Sequence, residues 1–518
     1  MFVLTVVAIL FGLLLINKKK LKDAVTGQYQ KNDSKKGVAG FSFKEIFAPS
    51  IILTGFFIGL FHTTNYWDYP IYFVVSGAVI LFMNARLYNF SLKTLLITLF
   101  HAVVVIVTAK VTALPFTLNF NQIASRLNIC ENHTPLYQLL VLWGLPIIVT
   151  LFFLGVLIFE KKGYAPFVDR RNEEPGRKNI LFRFIASLNI SDMFILILGL
   201  CAIGLIILPE LVYVKDIYSG DYKRANTMFK LTYQAYILFG MTMGYVLMKF
   251  IFYAKKTSHR VFGIVFLLLL ISTFGYFSHS INAWFGDISF QTPEKLEKDA
   301  DFVLTAGYVI AGIIFAIEAL YLLAAKKRKT RTILFAGTVC LIIISVVVVL
   351  FGEFYKPNKR YRGLNSGVYL MDENFDDYEA TNWINENIEG RPVLLEANGS
   401  SYTYYERVST ITGLPTILGW RTHEWLWQST SADGGVPQIV TEREKDIETI
   451  YTSQDISEVK RLLDKYKVEY VYVGGCEREK FEETGNFLES LLKLGSVCYP
   501  EDFENWVDTE TFILKVDR

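Results

Sequence analysis

Apolar residues in this chain gather into long, uninterrupted blocks instead of alternating with polar ones. About ten stretches are long enough, at roughly 1.5 Å of helical rise per residue, to approach a bilayer core of about 30 Å. They lie near residues 1–16, 47–66, 70–84, 94–114, 136–159, 193–211, 232–254, 261–279, 302–325 and 332–351, and 1–16 and 70–84 are short for a span. Beyond 351 the polarity becomes ordinary, over a length sufficient for one further core. The pattern predicts an α-helical polytopic membrane domain over residues 1–351, with about ten transmembrane helices, and a separate C-terminal domain over 352–518.

In the tail, DDYEATNWINENIEG has helical spacing and closes on a glycine, while RPVLLEA and LPTILGW look like short buried strands. REKDIETIY and ISEVKRLLDKYK predict helices, KVEYVYVGG a strand, FEETGNFLESLLKLG a helix and TFILKV a last strand. Strands alternating with helices predict an α/β domain with a largely parallel sheet. VYVGGCERE has only Gly474 and Gly475 and lacks the third glycine of a dinucleotide-binding turn, which argues against a Rossmann cofactor.

Charge assigns the two sides. The chain has 52 basic and 50 acidic residues, a balance that points to no nucleic-acid partner. Lys and Arg number about 25 in one alternating set of loops and about seven in the other, and such residues are retained in the cytoplasm. The basic loops are therefore expected inside, and the chain start and the tail outside, in a multi-pass protein of the plasma membrane. Five cysteines are too few for a disulfide framework; Cys476 and Cys498 share the tail and could pair, although free thiols are the favoured reading.

The first block, MFVLTVVAILFGLLLI, has neither the preceding positive charge nor the cleavage site of a signal peptide. It fits an N-out anchor, or a chain that begins inside a larger membrane domain whose earlier helices are missing or on a separate chain. The motif order below favours the second.

Polar and aromatic residues mix on the expected outer side. HTTNYWDYP carries Asp68 at the membrane edge, where it caps the helix beginning at Pro70 or does chemistry. YKRANTMFKLTYQAY brings Arg224, Asn226, Lys230 and Gln234 to the start of a helix. Its free N–H groups and two cations make an anion site for a lipid phosphate or pyrophosphate, or else the cations snorkel to headgroups. YFSHSINAWFGD, with His279 and Trp284, reads mainly as interface anchors. The densest patch is LPTILGWRTHEWLWQ, which neither alternates like a strand nor repeats like a helix. Trp420, Trp425 and Trp427 offer flat apolar surfaces, His423 and Glu424 titratable groups, and Arg421 a fork for carboxylate or phosphate. Gripping a sugar and resting on headgroups suit these residues equally. No zinc-type spacing, nucleophile elbow or phosphate loop is present.

NYWDYP, RANTMFKLTYQAYILFG, WINENIEGRPVLLEANGSSYTYYERVSTITGLPTILGW and YVYVGGCERE, in that order, resemble the YYY membrane protein family of prokaryotic polytopic proteins, from about residue 60 to the C-terminus. That family in turn looks like the GT-C class of membrane glycosyltransferases. The resemblance implies an extracytoplasmic tail domain and a polyprenyl-phosphate sugar donor used at the outer face, with membrane lipid as the surrounding partner. It also implies that a divalent cation could serve as cofactor, although no ligand motif stands in this sequence. The class has a key acidic residue in its first outer loop, and HTTNYWDYP corresponds to a later part of the pattern. Arg421 and Thr422 also stand where the family usually has Pro-Gly.

Two functions follow. In a glycosyltransferase-like protein, Arg224, Asn226, Lys230 and Gln234 hold phosphate, and Trp420, Arg421, Trp425 and Trp427 hold sugar or acceptor. Asp68, His423 or Glu424 then handles the proton. The alternative is a non-enzymatic assembly or scaffold subunit, or a transporter; ion-coupled transport is disfavoured because charges at helix centres, Glu318 excepted, are scarce.

Overall fold

In the computed structural model the described residues are 2–25, 43–88, 90–120, 126–161, 180–216, 220–273, 366–429, 435–481, 487–500 and 511–517, with scattered positions between 275 and 340. They form two compact units, one built from residues 1–121 and 126–358 and the other from 359–518. The two last apolar blocks, with Glu318 and Trp284, lie largely or wholly outside the described residues.

The first unit is a helical bundle: α1 (Phe2–Ile16), α2 (Lys18–Val25), α3 (Phe43–Ile46), α4 (Pro49–Thr64), α5 (Asp68–Tyr88), α6 (Leu92–Thr117), α7 (Leu136–Lys161), α8 (Ile180–Ser187), α9 (Ile190–Leu211), α10 (Ala225–Met248) and α11 (Thr257–Ser272). Two short strands, β1 (Arg126–Ile129) and β2 (Val212–Lys215), pair antiparallel beside it. Among the described residues five helices are long and apolar enough to cross a membrane: Asp68–Tyr88, Leu92–Thr117, Leu136–Phe159, Ile190–Leu211 and Ala225–Tyr253. The last continues α10 through a π-helical turn, Lys249–Tyr253. α1, α4 and α11 are apolar but shorter. Among the described residues five spans are thus found, against the ten that the apolar blocks of the whole chain suggest, two of which lie largely or wholly outside the described residues.

α5 corrects one boundary. Its apolar block ends at 84, but the helix runs on to Tyr88, with Asn84 and Arg86 hydrogen-bonded inside the bundle. The buried Arg86 donates to the Leu188 carbonyl at 2.8 Å, and Asn84 donates to Thr98 Oγ1 at 3.0 Å. A hydropathy pattern counts such residues as exits from the membrane; hydrogen bonding lets the helix keep them.

Close packing rests on glycine where helices touch. α4 presents Gly55 and Gly59, four residues apart, to α6, and a Cβ on Gly59 would come within 2.6 Å of the Ala109 carbonyl oxygen. Such small-residue faces let membrane helices approach backbone to backbone. Side-chain contacts also sort the helix ends: the lysine-rich side gathers Lys20 with Glu45 and Lys249 with Asp192, and the opposite side gathers Arg224 with Glu210.

The second unit holds α12 (Leu370–Glu373), α13 (Phe375–Asn387), β3 (Val393–Leu395), α14 (Arg407–Thr412), α15 (Arg421–Gln428), α16 (Gln438–Thr452), α17 (Ile456–Tyr466), β4 (Val468–Val473), α18 (Gly475–Phe481), α19 (Phe487–Leu492), β5 (Gly495–Tyr499) and β6 (Phe512–Val516). The sheet order is β3-β4-β6-β5. Only β3 and β4 are parallel, whereas β4–β6 and β6–β5 are antiparallel, so the largely parallel sheet expected from the sequence is corrected to a mixed one. β5, unforeseen in the sequence, supplies the antiparallel edge.

Two further expectations change here. LPTILGW is not a strand: Pro415 has no N–H for a ladder, and the segment makes one bond to β3, from Leu394 N–H to the Pro415 carbonyl at 2.9 Å. Ile417 and Leu418 are nevertheless buried in the core. The run after it, which shows no helical repeat by eye, forms α15. α13 ends at Asn387 with Ile388 as its C-cap, before Gly390, whose φ of +82° turns the chain toward β3. All five cysteines are free thiols.

Candidate functional site

In the first unit, Asp68 and Gln234, 166 residues apart, meet side chain to side chain: the Gln234 amide donates to Asp68 Oδ1 at 2.7 Å. Tyr72, one turn after Asp68 on α5, donates its hydroxyl to Gln234 Oε1 at 2.7 Å. Asp68 does not sit ahead of the helix as a cap; α5 begins at Asp68 itself, and its carboxylate turns inward. All three side chains are buried. Ser76, a further turn along, is buried with its hydroxyl unpartnered. Asp68, Tyr72 and Ser76 thus form a polar stripe at helical spacing that enters an apolar bundle. Gln234 lies about 13 Å along α10 from the helix start, so the meeting point lies below the helix ends.

The rim of this stripe is aromatic. His62, at the end of α4, packs its ring against Tyr66 at 5.0 Å and Tyr69 at 5.2 Å between centroids. Its Nδ1 is buried without a partner. Lys110 stands 5.6 Å over the Tyr69 ring. Lys230, one turn before Gln234, is half-buried over Phe229, and its charge acts on Asp68. Asn226 lies in the first turn of α10.

Arg224 is occupied. It pairs with Glu210 at 2.9 Å and donates to Thr134 Oγ1 at 2.9 Å and to the Pro209 carbonyl at 3.1 Å. Thr134 in turn donates its N–H and hydroxyl to Glu210. Lys223 pairs with Glu131 at 2.9 Å, and Val214 N–H donates to Thr227 Oγ1 at 3.0 Å. These bonds tie the start of α10 to the end of α9 and the segment before α7. Arg224 acts there as a staple, and Lys230 is the cation nearer to the buried carboxylate.

In the second unit, the Trp420 indole donates to the Tyr405 carbonyl at 2.7 Å, and Trp420 packs against His423 at 5.4 Å. Tyr402 closes the group: its ring lies 5.3 Å from Trp420, and its hydroxyl is 3.2 Å from His423 Nε2. Tyr402 is 80% exposed, so this Trp–His–Tyr face is open to solvent. Glu424 accepts from Gly419 N–H at 3.3 Å, using the space left by the missing Cβ of Gly419. Arg421 pairs with Glu444 at 2.7 Å, and Trp425 donates to the Gly435 carbonyl at 3.1 Å. The side chain of Trp427 lies outside the described residues.

One buried group escaped the sequence reading. Arg407 binds both oxygens of Asp377 and reaches Glu477 at 3.2 Å, and Tyr472 also donates to Asp377. Glu477 accepts from Ala397 N–H at 2.8 Å and Gly474 N–H at 2.9 Å. Glu396, directly after β3, accepts from the N–H groups of Val408 and Ser409 at 2.9 and 2.8 Å and so caps α14 from outside it. These residues gather at the carboxyl ends of the parallel strands β3 and β4. Nothing in the linear sequence joins Asp377, Arg407 and Glu477; only the crossover between the strands brings them together.

Among the described residues, no three His, Cys, Asp or Glu side chains come together as ligands of a metal ion would, so no step here is assigned to a cation.

Long apolar helices and close glycine contacts between them define an integral, multi-pass membrane protein. Residues 1–239 match the family described as Uncharacterized membrane protein (DUF2298), the YYY family of the resemblance above. The match starts at residue 1 instead of near 60 and ends within α10, just beyond Gln234; the tail motifs lie outside it. No curated protein matches the chain.

Proposed function

We propose that the chain acts as a GT-C-type membrane glycosyltransferase on a polyprenyl-phosphate-linked sugar at the outer membrane face. The observation that carries this reading is the buried Asp68–Gln234–Tyr72 group at the bundle end poor in lysine and arginine. An ionisable side chain buried among membrane helices is costly to keep, and function is the common reason for keeping one. Asp68 takes the proton from an acceptor hydroxyl as that oxygen bonds to the sugar's anomeric carbon. The bond from that carbon to the phosphate oxygen breaks, and polyprenyl phosphate leaves with the electron pair. Lys230 and the N–H groups near Asn226 at the start of α10 stabilise the departing phosphate. Gln234 and Tyr72 orient the carboxylate. On the second unit, Trp420, Tyr402 and His423 form an aromatic face of the kind that packs a sugar.

Transfer from polyprenyl-linked sugars in proteoliposomes tests this. Asp68→Asn is expected to lower the rate by about 100-fold or more, as loss of a general base does. Lys230→Met is expected to slow transfer with less effect on acceptor KM. Undiminished transfer by the double variant removes both assignments.

A further inference from the structure

In the second unit, the segment 399–406 between β3 and α14 ties the aromatic face together. The Gly399 carbonyl accepts from Arg421 N–H at 3.4 Å, and the Tyr405 carbonyl accepts from the Trp420 indole at 2.7 Å. Tyr402, between them, packs on Trp420 and reaches His423. The segment is also strained. Among the described residues four non-glycine positions have a positive φ, and two of them, Tyr402 at +61° and Glu406 at +57°, lie here. That region crowds a Cβ, so a side chain stays in it only where its surroundings impose it. Ser401 and Tyr404 do not impose it: their hydroxyls are buried without a partner.

Glu406 does. Its side chain closes the segment on itself, with Oε1 accepting from Gly399 N–H at 2.9 Å, while Oε2 is buried with no partner. Burial pushes this carboxyl up to about 8. Around it, Glu396 after β3 opposes its ionisation, whereas Lys480 of α18 and Arg407 of α14 favour it. Both cations have other partners. Arg407 holds Asp377 and Glu477, and Lys480 donates to the Asn398 carbonyl and side chain and faces Glu444 and Glu448 of α16. An ionised Glu406 would keep one N–H for its two buried oxygens, a costly arrangement. Swinging the segment outward gives the charge water and releases two left-handed residues in the same movement.

We propose that Glu406 is a proton-operated latch: neutral, it holds segment 399–406 closed and the Tyr402–Trp420–His423 face assembled; ionised, it releases both. In the open segment the carboxyl ionises near 4.5, so closure is favoured in full below that pH and weakens as pH rises through about 8. The latch is independent of the reaction at Asp68 and of what the face binds. Deuterium exchange of the intact chain in detergent, from about pH 5 to 9 and corrected for intrinsic rates, tests it. The opening constant read from amides of 399–406 and 420–424 is expected to rise by up to about tenfold per pH unit between about 5 and 8, the slope of one released proton, and then to level. The β4 amides should report a smaller opening constant at each pH, because the sheet stays formed when the latch opens. Glu406→Gln, which cannot ionise, should hold both segments at their pH 5 protection throughout. Glu396→Gln removes the opposing charge and should bring the levelling pH down. Lys480→Met removes a favouring charge and should raise it, so a shift is still read if Glu406→Gln fails to fold. A slope that Glu406→Gln leaves in place, or opening of the two segments only in step with β4, overturns the proposal.

Discussion

Arg407 is 3% exposed and shares that space with two carboxylates and a tyrosine hydroxyl. Removing one partner of such a set leaves charge buried and uncompensated. Arg407→Met is therefore expected to cost about 3–5 kcal/mol. Tyr472→Phe loses one hydrogen bond to a charged group and should cost about 1.5–3 kcal/mol. Hydrogen exchange of the β4 amides in the intact chain measures both, and equal protection in wild type and Arg407→Met would refute the keystone role. Nearby, burial raises Glu406 to about 8 and Glu396 to about 7, against 4.5 for a free glutamate. Glu406 Oε2 has no partner, so a proton there goes unopposed. The folded state thus holds protons that the unfolded chain releases near 4.5. The stabilisation is complete below that pH and is lost as pH rises through about 7 to 8. The same amides should exchange progressively faster from pH 5 to 8.5 after correction for intrinsic rates, and Glu406→Gln should flatten the trend. Half of the membrane site was legible at this scale. Asp68 and Gln234 stood out as polar residues beside apolar helices, and Tyr72 follows Asp68 by one turn, a spacing visible in NYWDYPIY. Arg407, in a run of ordinary tail residues, carried no such signal.

Helices were read better than strands, for a physical reason. A block of apolar residues fixes a membrane helix locally, since each backbone group bonds within the segment. A strand depends on partners elsewhere. β5 was invisible because GSVCY gains its ladder only from β6, and LPTILGW was mistaken because burial without pairing gives the same apolar signature. α15 is hard to read in sequence because its residues meet different partners: Arg421 pairs with Glu444, Glu424 accepts from Gly419 N–H, and Trp425 donates to the Gly435 carbonyl. Helix packing gives the sharper prediction. Gly59→Ala puts a methyl group 2.6 Å from the Ala109 carbonyl oxygen, whereas Gly77→Ala on α5 meets nothing within 4 Å. Overpacking should cost the first about 1–3 kcal/mol. The second should be neutral or stabilising by up to about 1 kcal/mol, the gain in helix propensity. Thermal midpoints in one detergent compare them directly. A smaller loss for Gly59→Ala than for Gly77→Ala would show that α4 and α6 are not held backbone to backbone.

For the whole molecule, sidedness decides whether the aromatic face of the second unit and the polar stripe of the first meet the same aqueous compartment. The loops alternate sharply, about 25 cations against about seven, and retention of Lys and Arg in the cytoplasm turns that bias into a direction. The packing respects the same alternation: Lys20 meets Glu45 at one end, while Arg224 and Lys223 meet Glu210 and Glu131 at the other. Single cysteines in a Cys340→Ser background report the direction, because the four remaining thiols are buried or half-buried. Glu131→Cys breaks an exposed ion pair with Lys223, which solvent screens. Tyr402→Cys marks the Trp420–His423 face, and Lys18→Cys marks the opposite side. An impermeant maleimide on intact cells is expected to label Glu131→Cys and Tyr402→Cys at once and Lys18→Cys only after permeabilisation. Should Tyr402→Cys need permeabilisation while Glu131→Cys does not, Trp420 and His423 would face a different compartment from Asp68. Chemistry at Asp68 would then have to proceed without them.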